Sequence, residues 1–221
     1  MKAKKEGFTL IEIAVTLAIL VIGATLAIGI MFRSLPRMRI RGDVWDIHQT
    51  LLNAKMTAVA EKVNVGVMFV YRGIYGGDRI CEEQDCYFIF KDSDGDNRLT
   101  DFNGRMFLQC EFIDSSIGCT VANEDIIIGE VKKLHLQNTF NQIFGQIMNQ
   151  PGHTAWVIFN SLGNAEWYGI YSSPNVLPFN GGEIQVRTRQ PVDKSNNKYF
   201  VGSVTISRVG GNLSITPAHL Q

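Results

Sequence analysis

The chain opens with a long apolar run and later changes to short alternating ones. Residues 13–32 carry no charged side chain, and Leu10 and Ile11 extend the run toward the N-terminus. As a helix, that stretch is about 30 Å long, which matches the hydrocarbon core of a bilayer. Lys2, Lys4 and Lys5 precede it, and Arg33, Arg37, Arg39 and Arg41 close it. From residue 43 to about residue 63 the pattern becomes amphipathic. Val44, Ile47, Leu51, Ala54, Ala58 and Val59 recur at helical spacing, while Asp46, Gln49, Asn53, Glu61 and Lys62 fall mostly off that stripe. Asp43, following Gly42, has the chemistry of an N-cap. The pattern predicts a long helix, half in membrane and half beneath a head. Gly23, Gly29 and Leu35-Pro36 are the places where it would bend or break.

Everything after Asn64 reads as β. Residues 65–71, 87–91, 105–112, 131–137, 154–160, 183–189 and 199–208 are short runs rich in β-branched and aromatic side chains, with Asp, Asn and Gly between them. Asp92-Ser93-Asp94-Gly95-Asp96-Asn97 and Ser161-Leu162-Gly163-Asn164 have turn composition, and residues 174–178 and 192–197 read as exposed loops. Residues 139–150 are uncharged and show no clear period.

A length of 221 residues suits one anchored domain, with enough chain beyond the apolar run to bury a core. Lys plus Arg equals Asp plus Glu at 21 each, so bulk charge points to no polyanionic partner. The four cysteines, Cys81, Cys86, Cys110 and Cys119, form two local pairs. Behind an export signal an even count reads as disulfides, and three pairings exist. The sequential pairing, Cys81 with Cys86 and Cys110 with Cys119, closes short loops and is the one favoured. Reduced core thiols fit poorly, because Glu82-Glu83-Gln84-Asp85 between the first pair is charged and expected to stay in water. Zinc fits poorly too, since no nearby His completes a finger pattern.

The N-terminus resists reading as a cleaved secretory signal: the apolar run is too long, and no A-x-A site follows it. Basic residues flank it on both sides, so charge alone does not orient it; the cysteines favour a head on the oxidising side. Glu12 lies five residues into the run counted from Phe8. A carboxylate there is costly, and nothing in the chain's own apolar segment is expected to pair with it, so its partner would come from another subunit.

Lys4-Lys5-Glu6-Gly7-Phe8-Thr9-Leu10-Ile11-Glu12 resembles the processing site of type IV prepilins and type II secretion pseudopilins. The resemblance implies a leader over residues 1–7, cleavage by prepilin peptidase between Gly7 and Phe8, and N-methylation of Phe8. It also implies an assembly role for Glu12, whose carboxylate would meet the N-terminal amine of a neighbour, each charge relieving the other's desolvation. The expected fold class is α+β: a transmembrane helix over residues 8–32, its amphipathic continuation over 33–63, and an all-β antiparallel head over 64–221. One long helix before such a head resembles the GspH/FimT branch of minor pilins and pseudopilins. In that branch head strands are joined by an acidic turn, as at residues 88–96, and a late strand pair ends near Gly, as at Gly210-Gly211. The implied partners are prepilin peptidase, other pilin or pseudopilin subunits and an inner-membrane assembly platform. The implied location is the inner membrane, crossed once with an extracytoplasmic head, and then a pilus or pseudopilus.

Asp92, Asp94 and Asp96 occupy the first, third and fifth positions of an EF-hand-like loop, which makes calcium a candidate ligand; no other cofactor is called for. Asn97 replaces the glycine at the sixth position and Asn103 the glutamate at the twelfth, and Asp, Gly and Asn form ordinary turns without metal. Enzyme signatures are missing: there is no G-x-S-x-G, H-E-x-x-H, P-loop or G-x-G-x-x-G, and His48, His135, His153 and His219 are scattered. His135 alternates with Leu134 and Leu136 as a surface residue of a strand would. Some FimT-like minor pilins bind DNA, and Arg187, Arg189, Lys194, Lys198 and Arg208 form a loose basic set diluted by Glu183 and Asp193. The rival of a different class is a membrane-anchored extracytoplasmic β domain that binds a ligand and joins no filament.

Overall fold

The computed structural model of the chain describes residues 9–75, 78–79, 81, 84–93, 95, 126–149, 153–170, 176–178 and 182–221. Helix α1 (Leu10–Glu61) has 52 residues and is therefore about 78 Å long. Thr9 caps its N-terminus, and Lys62, in the left-handed conformation at φ 56°, ends it. The helix runs through Gly23, Gly29, Pro36 and Asp43 without interruption. Asp43 is therefore no N-cap. It is buried inside the helix, and its carboxylate accepts hydrogen bonds from the His135 backbone and the Asn138 side chain.

The strands are β1 (Asn64–Val70), β2 (Ile74–Tyr75), β3 (Asp78–Arg79), β4 (Cys86–Asp92), β5 (Ile126–Lys133), β6 (Asn138–Ile143), β7 (Gln146–Ile147), β8 (Thr154–Phe159), β9 (Ala165–Ile170), β10 (Val176–Pro178), β11 (Glu183–Thr188), β12 (Phe200–Ile206) and β13 (Leu213–Leu220). One sheet has the order β10-β9-β8-β1-β4-β5, the second β13-β12-β11-β6-β7, and β2 pairs with β3. All paired strands among the described residues are antiparallel, as expected of the head.

Several boundaries differ from the sequence reading. The strand expected at 131–137 is β5, which ends at Lys133; the Leu134 amide then donates to the Asp85 carbonyl at 2.8 Å and the chain turns. His135 consequently lies in that turn and not in a strand. Val176–Pro178, expected in a loop, pairs with β9 as an edge strand, a place where proline is tolerated. Residues 139–150 supply most of β6 and all of β7, while β9 and β13 join the runs already recognised. The strand expected at 105–112 lies outside the described residues.

The helix and both sheets share one core. Ile40, Val44, Ile47, Leu51, Ala54 and Ala58 of α1 pack with Val65, Val67 and Phe69 of β1, Phe140 and Ile143 of β6, and Val204 and Ile206 of β12. Each fully buried aliphatic or aromatic side chain contributes about 1.5–3 kcal/mol. At Gly202 of β12 the helix comes so close that an added Cβ would lie 3.0 Å from Val44 and 3.1 Å from Ile40. The far face of the six-stranded sheet is also buried, with Met68, Val70, Phe88, Phe90, Trp156 and Ile158 in a second cluster. Burial on both faces explains why β1 and β8 read as continuous apolar runs, whereas β11 alternates.

Candidate functional site

The N-terminal half of α1 stands clear of the head. Leu10–Met31 is long and apolar enough to cross a membrane, and none of it is buried within the chain. Its internal hydroxyls are satisfied as lipid requires: Thr16 donates to the Glu12 carbonyl at 2.6 Å, and Thr25 to the Val21 carbonyl. Glu12 sits in the first turn. Its Oε2 accepts hydrogen bonds from the Thr9 amide and the Thr9 hydroxyl, both at 2.9 Å, while the Glu12 amide donates to Thr9 Oγ1 at 3.3 Å. This capping box gives Glu12 hydrogen-bond partners beside its own apolar segment, where none was expected. Thr9 supplies hydrogen bonds and no counter-charge. Gly7 and Phe8 lie outside the described residues.

The apolar surface continues past the span. Away from the buried face of α1, Met38, Trp45 and Met56 are 64%, 55% and 62% exposed, and Leu52 is half-buried. Val59, expected on the buried stripe, is 46% exposed at its edge, where an added Cβ on Gly163 would lie 3.4 Å from its Cγ2.

The Cys81–Cys86 disulfide is formed, with both residues fully buried. Cys110 and Cys119 lie outside the described residues. The argument for exposure of the loop between Cys81 and Cys86 fails at Asp85, which is 0% exposed. Its Oδ1 accepts from the Arg72 amide at 2.8 Å and lies 3.7 Å from Arg189 Nη2. Its Oδ2 accepts from the Thr139 hydroxyl at 2.6 Å and the Phe140 amide at 2.7 Å. Burial nevertheless pushes the Asp85 carboxyl above the ordinary aspartate range, against the pull of those donors, and does the same to Asp43. Sequence reasoning missed both as anchoring carboxylates. The adjacency of Asp85 to Cys86 was the one available signal.

In the acidic turn, Asp92 is buried; it accepts from the Asn64 side chain at 3.3 Å and the Gly95 amide at 2.8 Å. Asp94 and Asp96 lie outside the described residues, and among the described residues no cluster of three His, Cys, Asp or Glu side chains could hold a metal.

Four of the basic set, Arg187, Arg189, Lys194 and Lys198, lie at the connection between β11 and β12, and Arg208 lies apart. Arg187 lies over the Tyr199 ring at 4.9 Å, and Arg189 Nε donates to the Asn138 carbonyl at 3.0 Å besides facing Asp85. Lys194 and Lys198 lie in the turn before β12, while Arg208 follows its other end, about 30 Å further along an extended chain. His48 stacks on Trp45, His135 lies in the turn after β5, and His219 Nδ1 lies against the Pro217 carbonyl; among the described residues none of them belongs to a metal-holding cluster.

The family described as the prokaryotic N-terminal methylation motif matches residues 2–28. The match covers the N-terminal segment alone; the motif is that of type IV pilin-like proteins and implies processing by prepilin peptidase and assembly with other pilin subunits. No curated protein and no solved structure matches the chain.

Proposed function

We propose that the chain is a minor pilin or pseudopilin of the GspH/FimT-like branch, acting by assembly and not by catalysis. The observation that carries this reading is the division of α1. One side of its second half is sealed into the head, while the whole of Leu10–Met31 and the exposed side chains of Met38, Trp45 and Met56 remain available to other helices. Cleavage between Gly7 and Phe8 would place a new amine four residues before Glu12, and a neighbour's amine is the cation that Thr9 does not provide. The Cys81–Cys86 bond supports a head on the oxidising, extracytoplasmic side of the inner membrane. DNA uptake is the weaker reading, because Arg189 is drawn to Asp85, Arg187 lies over Tyr199 and Arg208 lies at the far end of β12.

The test compares wild type with Glu12→Ala and Glu12→Gln in one strain, reading the mature N-terminus by mass, filament incorporation and head melting. Glutamine keeps the capping box and removes the charge. N-methyl-Phe8 is expected at the mature N-terminus, with both variants processed, stable in the head and poorly incorporated. A mature chain that retains Met1 would overturn the prepilin reading. Normal incorporation of Glu12→Gln would reduce Glu12 to a cap, and a wild-type chain that enters no filament would leave the anchored binding domain.

A further inference from the structure

We infer that the Cys81–Cys86 disulfide is a one-way latch: its closure seats Asp85 between the two sheets and, through residues 134–140, fixes the head on helix α1. The inference concerns bonds within the chain and does not rest on the assembly reading.

Asp85 immediately precedes Cys86, and every donor it engages belongs to another part of the fold. Its side chain takes the Arg72 amide just after β1 and the Thr139 hydroxyl and Phe140 amide in β6, and it faces Arg189 just after β11. Its carbonyl takes the Leu134 amide at 2.8 Å. One residue thus joins the six-stranded sheet to the five-stranded one. The segment it grips also holds the helix. Asp43 of α1 accepts from the His135 amide at 3.2 Å and from Asn138 Nδ2 at 2.6 Å, and Arg39 donates to Gln137 Oε1. Arg189 closes the ring from the other side, its amide donating to the Gln137 carbonyl at 2.7 Å and its Nε to the Asn138 carbonyl. The path from disulfide to helix therefore runs Cys86, Asp85, residues 134–140, Asp43, with a hydrogen bond or peptide bond at each step.

A carboxylate wholly removed from water persists only where its donors and its own backbone are both held in place. The donors are held by strand pairing. The backbone of Asp85 is held by Cys86 on one side and by a loop of hydrophilic residues on the other, and the covalent link back to Cys81 removes that loop's freedom to carry Asp85 into solvent. Closure proceeds by thiol–disulfide exchange: the Cys81 and Cys86 thiols give up two electrons and two protons to a disulfide donor, which leaves as a dithiol. Once closed, both cysteines are 0% exposed, so an attacking thiolate has no access while the head stays folded. The latch therefore shuts during folding and is not reopened by thiols in solution.

The experiment uses the full chain in detergent micelles and reads hydrogen exchange at three amides, Leu134, His135 and Phe140, in the oxidised wild type and in the Cys81→Ser/Cys86→Ser double variant. Exchange in the variant is expected to be faster by on the order of tenfold at all three, with the amide of Val204 in β12 unchanged. Acceleration confined to Gln84, whose amide donates to the Cys81 carbonyl within the loop, would overturn the inference and leave a local staple. Thr139→Val keeps the disulfide and deletes one donor to Asp85. It is expected to speed exchange at His135 several-fold, and an unchanged His135 overturns the coupling even if the double-serine chain fails to fold. Loss of the disulfide when folded wild type meets a dithiol without denaturant would overturn the one-way character.

Discussion

Gly66 lies directly opposite Phe90 in the pairing of β1 with β4. The Phe90 ring covers the glycine so closely that an added Cβ would sit 2.2 Å from its Cζ and 2.3 Å from its Cε1. Carbon atoms rest at about 3.5–4.0 Å, so Gly66→Ala requires the ring to withdraw by at least about 1.3 Å. The ring is fully buried, and Met68, Phe88, Trp156 and Ile158 share its cluster. Overpacking a well-filled core costs about 1–3 kcal/mol, and the reduced freedom of alanine in the unfolded chain returns about 0.4–1 kcal/mol. The expected net loss is on the order of 1–2 kcal/mol, which for a chain of this size lowers Tm by about 2–8 °C. Thermal unfolding followed by circular dichroism, with wild type and variant in the same detergent, measures it. Phe90→Leu destabilises on its own by opening space, and in the Gly66→Ala background it should cost less than it does alone, because the new methyl fills part of that space. An unchanged Tm for Gly66→Ala, or simple additivity of the pair, would refute the account of the contact.

Three further outcomes are expected. Because burial raises Asp43 and Asp85, the folded state holds their protons more tightly than the unfolded state. Their contribution to stability is present below the unfolded aspartate pKa of about 3.9 and is lost as pH rises through the folded values. The stability of wild type relative to Asp43→Asn should therefore be more favourable at pH 4 than at pH 7; a difference that grows with pH contradicts the burial argument. Peptide mapping without reduction should recover Cys81 linked to Cys86 and Cys110 linked to Cys119, and free thiols at the second pair would reject its closure. Mutating Gly202 to Val, which places a branched side chain against Ile40 and Val44, should loosen α1 from β12 and expose the helix junction near residue 40 to protease, while native-like cleavage would show that the helix can shift to accommodate it.

Features set by residues close in sequence were the legible ones. The apolar span, the amphipathic stripe and the Cys81–Cys86 link all depend on neighbours within a few turns or one short loop. Asp43 misled for the same reason. An Asp after Gly at the head of an amphipathic stretch has local cap chemistry, but its partners are 92 and 95 residues away, and no local pattern shows them. Asp85 is a parallel case, with donors 54 and 55 residues away that reverse the expectation that a charged loop stays wet. The end of β5 was misplaced because Leu134 and Leu136 preserve the alternation, while the chain turns at Leu134 for the sake of the Asp85 carbonyl. In the candidate site, the position of Glu12 was readable from spacing. Its bonds to Thr9 and the exposed side chains of Met38, Trp45 and Met56 were not, because the apolar period of the buried stripe dominates the same helix.

The junction between Glu61 and Asn64 sets how the molecule carries load. The helix passes directly into β1, a strand in the interior of the six-stranded sheet, with β8 hydrogen-bonded on one side and β4 on the other. The helix doubles back along β1: Glu61 lies 3.1 Å from Lys91, which pairs with Val65, whereas Thr50 accepts from Lys132, which pairs with Tyr87 opposite Phe69. If the N-terminal half of α1 is gripped and the head is pulled, the load therefore falls first on the packing of α1 against the sheets. The helix side chains between Ile40 and Ala58 must then slide out of the core. Resistance to pulling is set by the rate of unfolding, and in this connection the core packing of α1 bears the load before any strand of the sheet does.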